Sequence, residues 1–143
     1  MPESTDVPQN PPTPDAPTKT LLVVDDSPSI RTLLRISLRK YPVRVILAED
    51  GLDAWEILQD ETPDLILMDL MMPRMDGLTL LDKIRADDRL AGTRCVVLSS
   101  RRDDETYHAA FGKGVFTYLL KPVSVKDLEP VVQELLDSDT TTA

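Results

Sequence analysis

One stretch of sequence decides the fold of this chain: Leu65-Ile66-Leu67-Met68-Asp69, in which four apolar residues lead to an acid. A second stretch, Leu21-Leu22-Val23-Val24, leads in the same way to Asp25 and Asp26. Continuous apolar runs of this length are typical of strands covered on both faces of a parallel sheet. Because an unpaired buried carboxylate costs several kcal/mol, the two stretches predict one acidic site at the end of such a sheet.

Apolar runs of this kind recur along the chain. They occupy residues 21–24, 43–48, 65–68, 95–98 and 116–120. Each gap between them is long enough for the crossover helix that parallel pairing requires. We expect helices from Ser27-Pro28 onward, over 52–59, 78–85 and 103–111, and again after Ser124. The sequence therefore predicts an α/β fold in which strands and helices alternate.

The first and last predicted helices carry the clearest end signals. Ser27-Pro28 supplies a capping residue and a proline at the first helical position, and Ser124-x-x-Asp127 is a variant of the capping box. Because Pro130 falls about six positions into the last helix, we expect a kink or a late helix start there. The side chains predicted to face inward are Ile30, Leu33, Leu34 and Leu38 in the first helix, and Leu128, Val131, Val132, Leu135 and Leu136 in the last.

Composition sets the limits of the fold and of its partners. With 143 residues and 41% hydrophobic content the chain predicts one domain over residues 20–137, a Pro-rich disordered tail over 1–19 and a short tail over 138–143. The net charge of −9 argues against direct nucleic-acid binding. Neither a signal peptide nor a membrane-spanning segment is present in the sequence, so we expect a cytoplasmic protein. Cys95 lies within an apolar run, so we expect it to be a small buried hydrophobic residue.

The residues that follow each predicted strand define the chemistry. In open α/β sheets, ligands bind beyond the carboxyl ends of the strands. The residues at these ends are Asp25 and Asp26, Glu49 and Asp50, Asp69, Ser99 and Ser100, and Lys121. Three crowded carboxylates favour a divalent cation, and an aspartate can be the nucleophile in phosphoryl transfer. We therefore expect Asp69 to accept a phosphoryl group, Asp25 and Asp26 to hold Mg²⁺, and Lys121 and Ser99 to contact the phosphoryl group.

Four stretches carrying these residues together resemble the receiver domain of two-component response regulators, the CheY-like superfamily. They cover residues 22–26, 67–77, 97–100 and 114–122, within a resemblance that runs from about residue 20 to 137. The resemblance implies a doubly wound, flavodoxin-like sheet of five parallel strands in the order 2-1-3-4-5, with helices on both faces. It also implies that a phosphohistidine of a sensor histidine kinase or phosphotransfer protein donates to Asp69.

Further site roles follow from the same resemblance. It implies that Asp26, Asp69 and the backbone carbonyl of Met71 ligate Mg²⁺, that Asp25 acts largely through water, and that the Lys121–Pro122 bond is cis. It also implies that Ser99 and Tyr118 change position on phosphorylation. This switch would alter the surface of the fourth helix, fifth strand and fifth helix, to which a downstream protein binds. Two family positions that vary widely, Met71 and Arg101, are expected to shield the phosphoryl group and to set its lifetime.

Several other interpretations of these residues stay open. Asp25 or Asp26 could serve as a helix cap, Lys121 could be a solvated loop lysine, and the Asp76-Gly77 pair is typical of plain turn chemistry. A phosphatase of the haloacid dehalogenase type would need a second acid where Met71 stands. A dinucleotide-binding module would need glycines after the first strand. A receiver-like scaffold that signals without phosphorylation is a further alternative.

The end of the chain suggests how the protein would act. The residues after Lys121 suffice for one helix and a tail, so we expect a stand-alone receiver without an output domain. Such a protein would catalyse only its own phosphorylation and dephosphorylation, and its output would be a contact with another protein.

Overall fold

The computed structural model describes residues 19–72, 74–99 and 104–141, without the side chains of residues 104, 106, 107 and 137–141. These residues alternate between five strands and five helices, which confirms the predicted α/β alternation. The strands are β1 (Lys19–Val24), β2 (Val43–Ala48), β3 (Leu65–Asp69), β4 (Arg94–Ser99) and β5 (Thr117–Leu120). The helices are α1 (Pro28–Leu38), α2 (Gly51–Leu58), α3 (Gly77–Ala86), α4 (Asp104–Gly112) and α5 (Val125–Thr141).

The five strands form one parallel sheet in the order β2-β1-β3-β4-β5, as predicted. Val24 of β1 lies opposite Met68 of β3, so the residues that follow, Asp25 and Asp69, reach the same edge at the same level. The strand order reverses between β1 and β3, and such a reversal opens a ligand-binding crevice at the carboxyl ends of the strands. The topology therefore brings the two acidic stretches of the sequence together.

Helices cover both faces of the sheet, and the side chains of each strand point alternately to one face and the other. One face packs against α2, α3 and α4 through Leu22, Ile66 and their neighbours, among them the buried Cys95. The other face packs against α1 and α5 through Val23, Leu67 and their neighbours. Within the described part of the chain, no helix is both long enough and apolar enough to cross a membrane.

The outer helices differ from the sequence-based expectations at Leu33 and at the two ends of the last helix. Leu33 points outward and is 44% exposed, because the buried stripe of α1 follows Leu34 and Leu38, and Leu33 lies one residue beyond its edge. Of the two alternatives expected at Pro130, the late helix start is wrong, since α5 begins at Val125, and the kink stays a prediction. Pro130 lies on the exposed side of α5, where the missing N–H removes one hydrogen bond while the buried face stays in contact with the sheet. The helix also passes residue 137, where the sequence suggested a tail.

The capping signals themselves are confirmed. The Ser27 hydroxyl accepts from the Ile30 N–H at the start of α1. At the start of α5 the Ser124 hydroxyl accepts from the Asp127 N–H, and the Asp127 carboxylate accepts from the Ser124 N–H. These reciprocal bonds satisfy donors that the first helical turn leaves without partners.

Arg85 of α3 lies at the end of the sheet opposite Asp69. Its guanidinium donates to four backbone carbonyls in the loops that lead into β4 and β5. The acceptors are the carbonyl oxygens of Ala91, Thr93, Lys113 and Gly114, at 2.8 to 3.0 Å. One side chain therefore joins both loops at the amino-terminal edge of the sheet.

Candidate functional site

Three carboxylates converge at the carboxyl ends of β1 and β3. One oxygen from each of Asp25, Asp26 and Asp69 lies within 4.8 Å of the other two. Asp25 is 0% exposed and Asp69 is 5% exposed, whereas Asp26 is open to solvent. The predicted acidic site is therefore present as a geometric cluster, with two buried acids and one at its mouth.

Lys121 brings an ammonium group to the two buried acids. Its Nζ lies 2.7 Å from Asp25 Oδ2 and 3.1 Å from Asp69 Oδ2. The Lys121 N–H donates to the Ser99 carbonyl at 2.8 Å, which holds this part of the backbone next to the end of β4. The Lys121–Pro122 bond is cis, as expected. The alternative of a solvated loop lysine is excluded.

The two buried acids are oriented by the backbone as well as by Lys121. Asp69 Oδ1 accepts from the Met71 N–H at 3.2 Å, and Asp25 Oδ1 accepts from the Ser27 N–H at 2.9 Å. In each carboxylate one oxygen is therefore held by a backbone donor and the other faces the lysine. Ser27, rather than Asp25 or Asp26, caps α1, so the capping alternative does not account for these acids.

The charge balance of the cluster is negative. Burial raises the pKa of Asp69 and the nearby Asp25 charge adds to the rise, although the hydrogen bond and charge of Lys121 oppose it. Burial alone would lower the pKa of Lys121, but Asp25 and Asp69 together outweigh it and the pKa is raised. Within the cluster the Lys121 ammonium therefore pairs with two carboxylates, and the exposed Asp26 adds a third.

The residues of the cluster fit a hard divalent cation. All three side chains offer oxygen, which Mg²⁺ and Ca²⁺ prefer. Asp25 Oδ2 is buried and lies 2.7 Å from the Lys121 ammonium, which it shares with Asp69. A cation at this point would balance the excess negative charge of the cluster. Which residues bind a metal stays a prediction, including the carbonyl of Met71.

The remaining predicted site residues lie on β4, β5 and the loop after β3. Ser99 is buried at the end of β4, next to the backbone of Lys121. Tyr118 is half-buried in β5 and packs against the core on the side of α2, α3 and α4. The Met71 side chain points to solvent while its N–H contacts Asp69. Arg101, like Ser100, lies outside the described residues, and the roles of all these residues stay predictions.

Gly77 has a role that the sequence did not reveal. The expected turn is instead the start of α3, where Asp76 is the cap and its carboxylate accepts from the Thr79 N–H at 2.9 Å. A Cβ on Gly77 would lie 2.5 Å from the Asp69 carbonyl oxygen and 2.8 Å from the Leu70 Cα. Since both neighbours are backbone atoms, the close packing of α3 against the end of β3 requires glycine here.

Asp50 and Arg74 form a second ion pair beside the cluster. Arg74 Nε and Nη2 donate to Asp50 Oδ2 and Oδ1 at 2.6 and 3.0 Å. The hydrogen bond from Arg74 holds the pKa of Asp50 below its usual value, although burial acts in the opposite direction. The sequence placed Glu49 and Asp50 among the residues at the carboxyl ends of the strands. In the structure Glu49 is exposed and Asp50 pairs with Arg74.

Comparison with known proteins points in one direction. The pattern of the response regulator receiver domain matches residues 21–133. The transcriptional regulatory protein AfsQ1 of Streptomyces coelicolor is 34% identical over 116 residues, which cover 81% of this chain and 50% of AfsQ1. The chain thus spans about half the length of that relative.

Solved structures agree with the sequence relatives. A response regulator receiver protein from Pseudomonas putida has 31% identity and a TM-score of 0.78, covering 83% of this chain and 98% of its own. The chemotaxis response regulator CheY4 of Vibrio cholerae has 27% identity and a TM-score of 0.77, covering 83% and 99%.

Proposed function

The chain belongs to the response regulator receiver domain family, and on that premise we propose that Asp69 accepts a phosphoryl group in two-component signalling. The donor is a phosphohistidine of a sensor histidine kinase or phosphotransfer protein in the cytoplasm. A phosphorus–oxygen bond to Asp69 forms as the phosphorus–nitrogen bond breaks, and the histidine nitrogen keeps the electron pair. One observation carries the proposal: a buried carboxylate 3.1 Å from a lysine ammonium, inside a cluster of acids.

The roles of the chain's own residues follow from their positions. Lys121 Nζ lies where it can neutralise oxygens of the arriving phosphoryl group, and preorganised charge of this kind lowers the barrier to transfer. The Ser99 hydroxyl, at the end of the neighbouring strand, donates to the same oxygens after transfer. The protein thereby catalyses its own phosphorylation and dephosphorylation, and it turns over no external substrate.

Mg²⁺ is the cofactor that we propose for this site. Asp26, Asp69 and the Met71 carbonyl would hold it directly, with Asp25 acting mainly through water. When bound, Mg²⁺ supplies positive charge that offsets the three carboxylates and the incoming phosphoryl oxygens. The excess of carboxylates over the Lys121 ammonium within the cluster supports this assignment.

Phosphorylation would act on a partner through the face built from α4, β5 and α5. Ser99 moves toward the new oxygens and Tyr118 turns inward, so that charge added at one end changes the surface at the other. Large apolar side chains are exposed along this face, and they support a protein as the partner. They are Phe111 of α4, Leu120 of β5 and Val125 of α5.

The phosphodonor would approach along α1, which begins beside the acidic cluster. The outer side of α1 exposes Leu33 and Ile36, and the helix contains two arginines and no acid. In a chain with a net charge of −9 this is a locally basic, apolar surface, which favours a donor protein with an acidic, partly apolar docking face.

Phosphodonor labelling tests the phosphoacceptor proposal. Wild-type protein incubated with labelled acetyl phosphate and Mg²⁺ should gain one acyl phosphate, detected by its lability to hydroxylamine. Asp69→Asn should gain none, and EDTA should suppress labelling of the wild type. Wild type that takes no label under these conditions would instead favour a receiver-like scaffold that signals without phosphorylation.

The lifetime of the acyl phosphate tests the roles of Met71 and Arg101. We propose that both long side chains shield the phosphoryl group from water. Met71→Asn and Arg101→Ala should each shorten the half-life of purified phosphoprotein. Half-lives equal to that of the wild type would remove these residues from the proposal.

A further inference from the structure

The Asp50–Arg74 pair joins two loops that border the acidic cluster. Asp50 begins α2 after β2, and Arg74 lies in the loop after β3, which we call the acceptor loop; its described residues are 70–72 and 74–76. Both oxygens of Asp50 receive a guanidinium N–H, at 2.6 and 3.0 Å. Two parallel hydrogen bonds to a charged pair fix orientation as well as distance. The acceptor loop is therefore held to the start of α2 in one geometry.

The Arg74 side chain is half-exposed, and the Asp50 carboxylate with which it pairs is buried. Asp50 Oδ1 also accepts from the Asp53 N–H at 2.8 Å and so caps α2. One carboxylate thus serves the helix and the loop together.

The backbone at Arg74 shows that this side chain has a particular task. Arg74 has a φ of 67°, in the left-handed region that glycine and asparagine adopt most readily. Arginine has no local advantage in this conformation, whereas its long side chain can reach Asp50. The pair therefore offsets an unfavourable backbone conformation.

The two loops also touch directly. A Cβ on Gly51 would overlap the Met75 carbonyl oxygen, so the start of α2 and the acceptor loop are in close van der Waals contact next to the ion pair. The ion pair and this contact restrain the acceptor loop at two successive residues, Arg74 and Met75.

From this loop the restraint reaches the acidic cluster by short paths. Met71 of the same loop donates its N–H to Asp69 Oδ1. On the other side, Ala48 at the end of β2 accepts from the Asp25 N–H at 3.2 Å. The segment that carries Asp50 and the segment that carries Arg74 therefore each contact a buried acid of the cluster.

We propose that the Asp50–Arg74 pair is a positioning clamp, which holds the Met71 backbone at Asp69 and thereby sets the rate of phosphorylation and the affinity for Mg²⁺. Neither residue contacts the phosphoryl group, so both act through the acceptor loop. The inference rests on the proposed function, because it concerns the chemistry of Asp69.

A double-mutant cycle with Asp50→Asn and Arg74→Asn tests the clamp. Asparagine caps helices about as well as aspartate, so Asp50→Asn keeps α2 capped. Asparagine also tolerates the left-handed conformation at position 74. Both changes remove the charged pair and spare the local backbone, and circular dichroism verifies that each variant is folded.

The expected result is coupling between the two positions. Each single variant should be phosphorylated by acetyl phosphate about tenfold more slowly, since a misplacement of about 1 Å can cost roughly 10²-fold. The double variant should be no slower than either single variant, because the clamp is already lost. Without any phosphodonor, all three variants should bind Mg²⁺ more weakly by calorimetry and show a shifted Met71 amide resonance.

Arg44→Asn provides the matched control. Arg44 pairs with Glu61 through two guanidinium nitrogens at 3.2 and 2.9 Å, and its side chain is 54% exposed against 53% for Arg74. This pair lies away from the acidic cluster, so its loss should leave the phosphorylation rate and the Mg²⁺ affinity unchanged.

Two results would overturn the clamp while leaving the phosphoacceptor role in place. One is labelling of both single variants at the wild-type rate. The other is a double variant slowed by the product of the two single effects, which would mean that the residues act independently. Wild type that takes no label is a different outcome, because it would overturn the proposed function itself.

Discussion

Gly77→Ala offers a sharp test of how the end of β3 is held. The added Cβ would lie 2.5 Å from the Asp69 carbonyl oxygen and 2.8 Å from the Leu70 Cα, which is closer than real Cβ atoms come. Forcing a methyl group into filled space typically costs about 1–3 kcal/mol. The change from glycine to alanine in a helix alone would stabilise by about 0.5–1 kcal/mol. Because the obstructing atoms are backbone, the clash should exceed this gain and the variant should lose about 1–2 kcal/mol.

Gly112→Ala is the matched control for that prediction. Gly112 ends α4, and a Cβ there would meet no heavy atom within 4 Å. The same chemical change should therefore leave stability unchanged or raise it by up to about 1 kcal/mol. Urea unfolding followed by circular dichroism measures both variants, and equal denaturant slopes make the midpoints comparable.

Gly77→Ala should also slow the phosphorylation of Asp69. Relief of the clash must move α3 or the carbonyl of Asp69, so acetyl phosphate should label folded Gly77→Ala more slowly than wild type and than Gly112→Ala. The reasoning fails if Gly77→Ala is as stable as Gly112→Ala. It fails equally if the destabilised variant is labelled at the wild-type rate.

Three other changes test separate parts of the structure. Lys121→Ala removes the ammonium group that pairs with Asp25 and Asp69. Because Mg²⁺ would then be the main cation opposing these acids, it should raise the melting temperature more than in wild type. An equal or smaller rise would contradict this. Burial raises the pKa of the Cys95 thiol to about 11, so iodoacetamide at pH 8 should label Cys95 only in urea. Labelling of the native protein at the rate of a free thiol would contradict the burial of Cys95. Leu33→Ser should change the free energy of unfolding by no more than about 0.5 kcal/mol. It should slow phosphoryl transfer from a phosphohistidine protein but not from acetyl phosphate. Equal slowing with both donors would argue against docking on α1.

The sheet and the acidic cluster were predictable because each depends on a strong local signal. Strands buried on both faces must be apolar throughout, and the continuous run before Asp69 has no other simple explanation. Parallel strands bring their carboxyl ends to one edge, so Asp25, Asp69 and Lys121 converge once the order of the strands is known. The order itself came from the family resemblance.

The features that sequence reasoning missed depend on contacts between distant segments. Asp50 and Arg74 are 24 residues apart, and neither lies in a pattern that predicts the other. Gly77 reads as a turn residue because the constraint on it comes from the backbone of another element. Leu33 was misplaced because it lies one residue beyond the buried stripe of α1, and the sequence does not show where that stripe ends. Pro130 did not delay the start of α5, because it lies on the exposed side of the helix.

Arg85 has a consequence for how the molecule can move. A planar guanidinium bonded to four carbonyls cannot follow one of its two loops without leaving the other, so the loops before β4 and β5 must travel as one piece. Lysine has neither the planar shape nor enough donors to replace it. The amino-terminal ends of β4 and β5 are therefore held together by Arg85. We expect any rearrangement of these strands at their carboxyl ends, where Ser99 and Lys121 lie.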